Sequence, residues 1–170
     1  WRRTASRPCW RYDSAMLLAE PTVSSWKASL ALGFSSEDGK TVLSRKVHDG
    51  PLVVQKALYP EGDAVCHGII VHPPAGIAGG DSLELDARAG ARAHALLTTP
   101  GAGKWYRSSG AWAQQHNRFT VDEGACLEYL PQETIVFDGA LAAEAAFRRY
   151  EAVRDRLPGA TLDRKSTRLN

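Results

Sequence analysis

From Trp26 onward apolar and polar residues alternate one by one, and this period of two is what most restricts the fold. In "WKASLALGF" the residues Trp26, Ala28, Leu30, Leu32 and Phe34 fall on one face of an extended strand. "SSEDGK" follows, and its Asp38-Gly39 suits a two-residue hairpin turn, after which "TVLSRKVH" can return antiparallel. "LVVQKAL", "CHGIIVH", "SLELDARA", "ARAHALLTT", "NRFTV", "CLEYL" and "ETIVF" read as further strands, with Gly and Pro between most of them. "LAAEAAFRRYEAVRDRL" (141–157), rich in Ala, Glu and Arg, predicts a helix instead. The expected domain is therefore mainly β, with one or two helices.

Gly-Ala pairs at 90–91, 124–125 and 159–160 recur at spacings of 34 and 35 beside apolar segments. A strand–turn unit repeated at a fixed interval suggests stacked layers, as in a solenoid or β-helix.

The two ends differ from the middle. Residues 1–15 carry four Arg and one Asp, and residues 163–170 add Arg164, Lys165 and Arg168 against Asp163. The intervening residues hold 14 basic and 17 acidic groups, so the basic excess lies in the ends. A nucleic-acid binder needs its basic face on the folded part, and that class is disfavoured. Met16 offers a start, and residues 1–15 read as a non-native lead. "DRKSTRLN" (163–170) reads as an adapter-derived tail, leaving 16–162 as the protein proper. Cys9, Cys66 and Cys126 form no CxxC pair, which excludes a zinc-finger spacing and a disulfide framework. No apolar run reaches the length of a membrane span, so a cytoplasmic location without membrane contact is expected.

Glycine-rich loops raise the question of phosphate binding. In "HPPAGIAGGD" (72–81), Gly76, Gly79 and Gly80 lack the G-x-G-x-x-G spacing, and a strand follows where a helix should open. In "TTPGAGKWYR", Thr98 stands where a P-loop needs its first Gly, and Trp105 replaces the magnesium-binding hydroxyl. Cys66 and His67 point to opposite faces of a strand, and Cys66 lies about 20 Å from His72 along it. Glu128 and Glu133 flank Pro131, which leaves their separation undefined. No catalytic constellation and no tight metal site are expected. In the corner itself, Pro73 and Pro74 remove two donors and fix φ, and the glycines allow positive φ or a close approach by another chain. Asp81 can accept hydrogen bonds from the N–H groups of the turn. Such a loop suits docking or the lining of a passage.

"GPLVVQKALYPEG", "CHGIIVHPPAGIAGGDSL", "TTPGAGKWYRSSG" and "LEYLPQETIVFDGA" together resemble the urease accessory protein UreD (UreH) family, from about Trp26 to Ala140. The resemblance implies a solenoid-like stacked-strand domain, here as a C-terminally truncated fragment. It implies a nickel-insertion chaperone without turnover of its own. Such a protein would bind apo-urease and UreF, would reach UreG through UreF, and would hold nickel only in transit, with no tightly bound cofactor. His72 would be a transient nickel ligand and Asp81 a polar group lining the passage. Pro73, Pro74, Gly76, Gly79 and Gly80 would be scaffold. Lys104, Tyr106 and Arg107, with Glu128, Gln132 and Glu133, would form a polar interface patch. The family usually has Gly where this chain has Ala75, so a positive φ there would be strained. The alternative is a β-solenoid interaction scaffold with no metal role.

Overall fold

The computed structural model describes residues 25–150, with side chains described through Ala145. Strands β1 (Lys27–Glu37) and β2 (Lys40–Asp49) form the expected hairpin. Asp38 and Gly39 turn it with φ of 47° and 82°, the paired positive values that match the twist of the flanking strands. Ala28, Leu30, Leu32 and Phe34 are buried along one face of β1. Trp26 precedes the strand and is 52% exposed, so the buried apolar face starts at Ala28, two residues later than the alternation predicts.

The remaining strands are β3 (Val53–Leu58), β4 (Val65–Val71), β5 (Ser82–Ala89), β6 (His94–Thr98), β7 (Gly103–Trp105), β8 (Ala113–Val121), β9 (Cys126–Leu130), β10 (Thr134–Val136) and β11 (Ala142–Tyr150). They make a five-stranded sheet in the order β11-β8-β5-β1-β2, a four-stranded sheet β3-β4-β6-β9, and the pair β10-β7. The hairpins β1–β2 and β3–β4 are antiparallel; every other pair is parallel. The sheets are therefore mixed. Leu30, Leu32, Phe34, Leu83 and Leu85 from the larger sheet share one core with Val54, Cys66, Ile70 and Leu97 from the smaller.

Two expectations need correction. The helix predicted over 141–157 is instead a strand, β11, as far as Tyr150, and its last residues lie outside the described ones. Helix propensity differs among ordinary residues by under about 1 kcal/mol each, which a full ladder can override. The edge of β8 supplies that ladder, pairing Ala142 with Ala113 and Tyr150 with Val121. No helix occurs among the described residues.

The Gly-Ala echo also shifts. Ser82 pairs with Gln114 and His94 with Cys126, so both ladders advance by 32 residues rather than 34. That register sets Arg92 beside Gly124, and both take positive φ (60° and 66°) at equivalent turns. The third pair, 159–160, lies outside the described residues.

Ala75 has φ of 61°, so the strain expected from alanine at a glycine-favouring position is present. A left-handed conformation costs a residue with a Cβ about 1–2 kcal/mol, part of which glycine returns in the unfolded chain. Ala75→Gly is expected to raise stability by about 1 kcal/mol, read as a higher urea midpoint. An unchanged or lower midpoint would show that the turn carries no such strain.

Candidate functional site at the proline–glycine corner

Residues 72–81 carry the chain from β4 in the smaller sheet to β5 in the larger. Pro73 and Pro74 are exposed at the outer bend, which closes when the Ala75 N–H donates to the His72 carbonyl at 2.8 Å. The inner side is zipped to β7: Ile77 N–H donates to the Lys104 carbonyl at 2.8 Å, and Tyr106 N–H to the Ile77 carbonyl at 2.9 Å. The stretch "TTPGAGKWYR" carries no strand signal of its own, because the partners of β7 are the distant Ile77 and β10.

The glycines are explained by that contact. A Cβ on Gly76 would lie 2.1 Å from the Tyr106 ring. One on Gly79 would lie 2.1 Å from Ser108 Oγ and 2.9 Å from the Ala111 carbonyl oxygen. Gly80 has φ of 94°. The close approach, expected from the sequence to come from another chain, is made instead by this chain's own segment between β7 and β8.

Asp81 is 2% exposed, and its carboxylate is engaged by backbone donors. Trp26 N–H reaches Oδ1 at 2.7 Å and Ala78 N–H reaches Oδ2 at 2.8 Å. Its own carbonyl accepts from Gln114 N–H at 2.8 Å, while Ser82 N–H reaches back to the Trp26 carbonyl at 2.8 Å. Asp81 therefore fastens the corner, the entry to β1 and the start of β8 to one another. The Ala78 bond is the capture of a turn N–H anticipated from the sequence.

His72 lies at the same corner, half-buried, with Nε2 shielded and without a hydrogen-bond partner among the described residues. Burial pushes its pKa below the ordinary 6.5, and the Asp81 carboxylate opposes that shift in part. The ring is thus held neutral near pH 7, the form in which imidazole can coordinate a metal. A lowered pKa in the folded state means that the unfolded chain binds the proton more readily. His72 therefore stabilises the fold above about pH 6.5, and that contribution is lost as pH falls through the folded value. Urea unfolding from pH 7.5 down to 5.5 is expected to show this loss, and His72→Leu is expected to flatten that part of the profile. An equal slope in both proteins would contradict the assignment.

The interface patch divides. Lys104 lies on β7, the Tyr106 and Phe137 rings tilt together at 5.4 Å, and the Arg107 guanidinium meets the Asp138 carboxylate at 3.1 Å. Both charges of that pair are largely exposed, so it adds little stability. Gln132 and Glu133 join this region through their backbones: Gln132 N–H donates to Thr99 Oγ1 at 3.0 Å, and the Glu133 carbonyl accepts from Gly103 N–H at 2.9 Å. Beside them Ile135, Val136 and Phe137 are exposed by 41–49%, an apolar strip that the polar reading missed. Glu128 is elsewhere, on β9, with Oε1 2.6 Å from His94 Nε2.

The structure does not unite Cys66 with His72. Cys66 is fully buried, hydrogen-bonded to Tyr59, and its thiol pKa is pushed up by burial. It does bring together His94, Cys126 and Glu128, whose ligand atoms all lie within 4.8 Å of one another. Burial, and then the Glu128 charge, push the Cys126 thiol up. Reading single strands could not find this group, because His94 and Cys126 meet only through the parallel register.

Residues 27–146 match the family described as UreD urease accessory protein. A urease accessory protein UreD of Azoarcus sp. (strain BH72) is 64% identical over 115 residues, covering 68% of this chain and 40% of that relative. One from Dechloromonas aromatica (strain RCB) is 62% identical over 130 residues, covering 76% and 45%. The chain thus spans less than half the length of these curated relatives. Among the described residues there is no helix long and apolar enough to cross a membrane.

Proposed function

The chain belongs to the UreD urease accessory protein family, and on that premise we propose that it serves as part of a nickel-insertion chaperone. It binds apo-urease and the UreF–UreG machinery in the cytoplasm and helps nickel pass to the urease active site, without turnover of its own. The relatives are named as accessory proteins, which agrees with that role. The reading rests on His72, whose neutral imidazole carries an unengaged, shielded Nε2 inside a corner that Asp81 holds rigid. Imidazole suits Ni²⁺, and one such ligand beside an occupied carboxylate would hold the ion weakly enough to release it. The exposed strip Ile135–Phe137 and the Lys104–Tyr106–Arg107 surface beside it give partners an apolar centre with a polar rim. Two of the parallel ladders, β5–β8 and β6–β9, advance by the same 32 residues, which suits a solenoid-like stacking of that part of the domain.

Co-purification with apo-urease and UreF tests the partner assignment, and His72→Ala in the same assay tests the nickel role. The variant is expected to keep its partners while urease recovers less nickel. Failure to bind apo-urease and UreF would overturn the proposal. Partner binding with nickel delivery unchanged by His72→Ala would leave the protein a scaffold.

A further inference from the structure

Near the beginnings of β6 and β9 three side chains meet outside the core. His94 and Cys126 are direct partners in the parallel ladder, and Glu128 stands two residues on, on the same face of β9. A ligand atom of each lies within 4.8 Å of the other two. His94 and Glu128 are half-buried, and Cys126 is exposed. On β4 the same row continues with Val65, roughly 20 Å along that strand from His72, so this group is separate from the corner. The His94–Glu128 contact at 2.6 Å accounts for two of the three residues and gives the neighbouring thiol no role.

We propose that His94, Cys126 and Glu128 form an exchangeable binding site for one divalent transition-metal ion of the cobalt–nickel–zinc group. Mixed nitrogen, sulfur and oxygen donors suit ions of this borderline character better than calcium or magnesium, which take oxygen. Metal–ligand bonds of about 2.0–2.3 Å set the donors roughly 3–4 Å apart around the ion, so their present spacing has to adjust, which is within reach of side-chain rotation. The His94–Glu128 contact has to open, so the ion displaces an existing interaction. On binding, Cys126 Sγ loses its proton to solvent and coordinates as thiolate, while His94 coordinates as neutral imidazole. Three ligands leave at least one position for water or for a donor from a partner. The site stands on its own side chains; failure of the His72 reading would leave it intact, and its failure would leave that reading intact.

Titration of the full chain with Co²⁺, followed by absorption, tests it. A thiolate-to-cobalt charge-transfer band in the near ultraviolet is expected to saturate at one ion per chain and to be displaced by Ni²⁺ or Zn²⁺. The band is expected to vanish in both Cys126→Ser and Cys126→Ala and to persist in Cys66→Ser and Cys9→Ser. His94→Ala and Glu128→Gln are each expected to weaken binding by about tenfold or more. Absence of the band, its survival without Cys126, or a smaller effect of either ligand variant would overturn the proposal. Circular dichroism establishes that each variant compared is folded.

Discussion

Replacing Asp81 with Ala is expected to cost about 3–5 kcal/mol, a large share of what holds a domain of this size together. Its carboxylate accepts two charge-assisted bonds, from Trp26 and Ala78, at a position 2% exposed. Each such bond contributes about 1.5–3 kcal/mol, and alanine would leave both donors without their acceptor in a part-buried setting. Asp81→Asn keeps the shape but only one accepting atom, so about half of the loss is expected. Urea unfolding monitored by tryptophan fluorescence measures both variants. A loss below about 1 kcal/mol for the alanine variant would mean that the corner is fixed by something else.

Leu97→Ala is expected to have an effect of similar size, about 3–5 kcal/mol, because Leu97 is fully buried in the shared core. Its ladder partner is Gly68, and a Cβ there would come within 2.8 Å of Leu97 Cδ2. The leucine thus occupies space that the glycine leaves open. Gly68→Ala alone is expected to cost about 1–3 kcal/mol through overpacking. Combined with Leu97→Ala the new methyl enters the cavity, so the double variant should lose less than the sum of the singles. Strict additivity in the denaturation data would contradict this fit between β4 and β6.

Strand positions were legible where one face is buried, because burial on one side writes a period of two into β1, β4 and β5. The Asp38-Gly39 turn was legible because its backbone needs two positive φ values that few residue pairs accept. β11 was not legible: four alanines and a glutamate among its first five residues carry a helical preference that only the edge of β8 overrides. β7 is three residues long and is fixed by partners about 30 residues away. The same reasoning divides the sites. Asp81 takes a bond from Ala78 three residues before it, so its local role could be read from the turn; its bond to Trp26 spans 55 positions and could not. The His94–Cys126–Glu128 group depends wholly on the register between β6 and β9, for which neither segment carries a local signal.

The most direct test of an accessory role in urease activation is the nickel content and activity of urease purified from a urease-producing cell, with and without the gene encoding this chain. Normal amounts of urease that is poor in nickel and inactive without the gene, and restored by it, are predicted. Fully loaded, active urease in its absence would contradict the account.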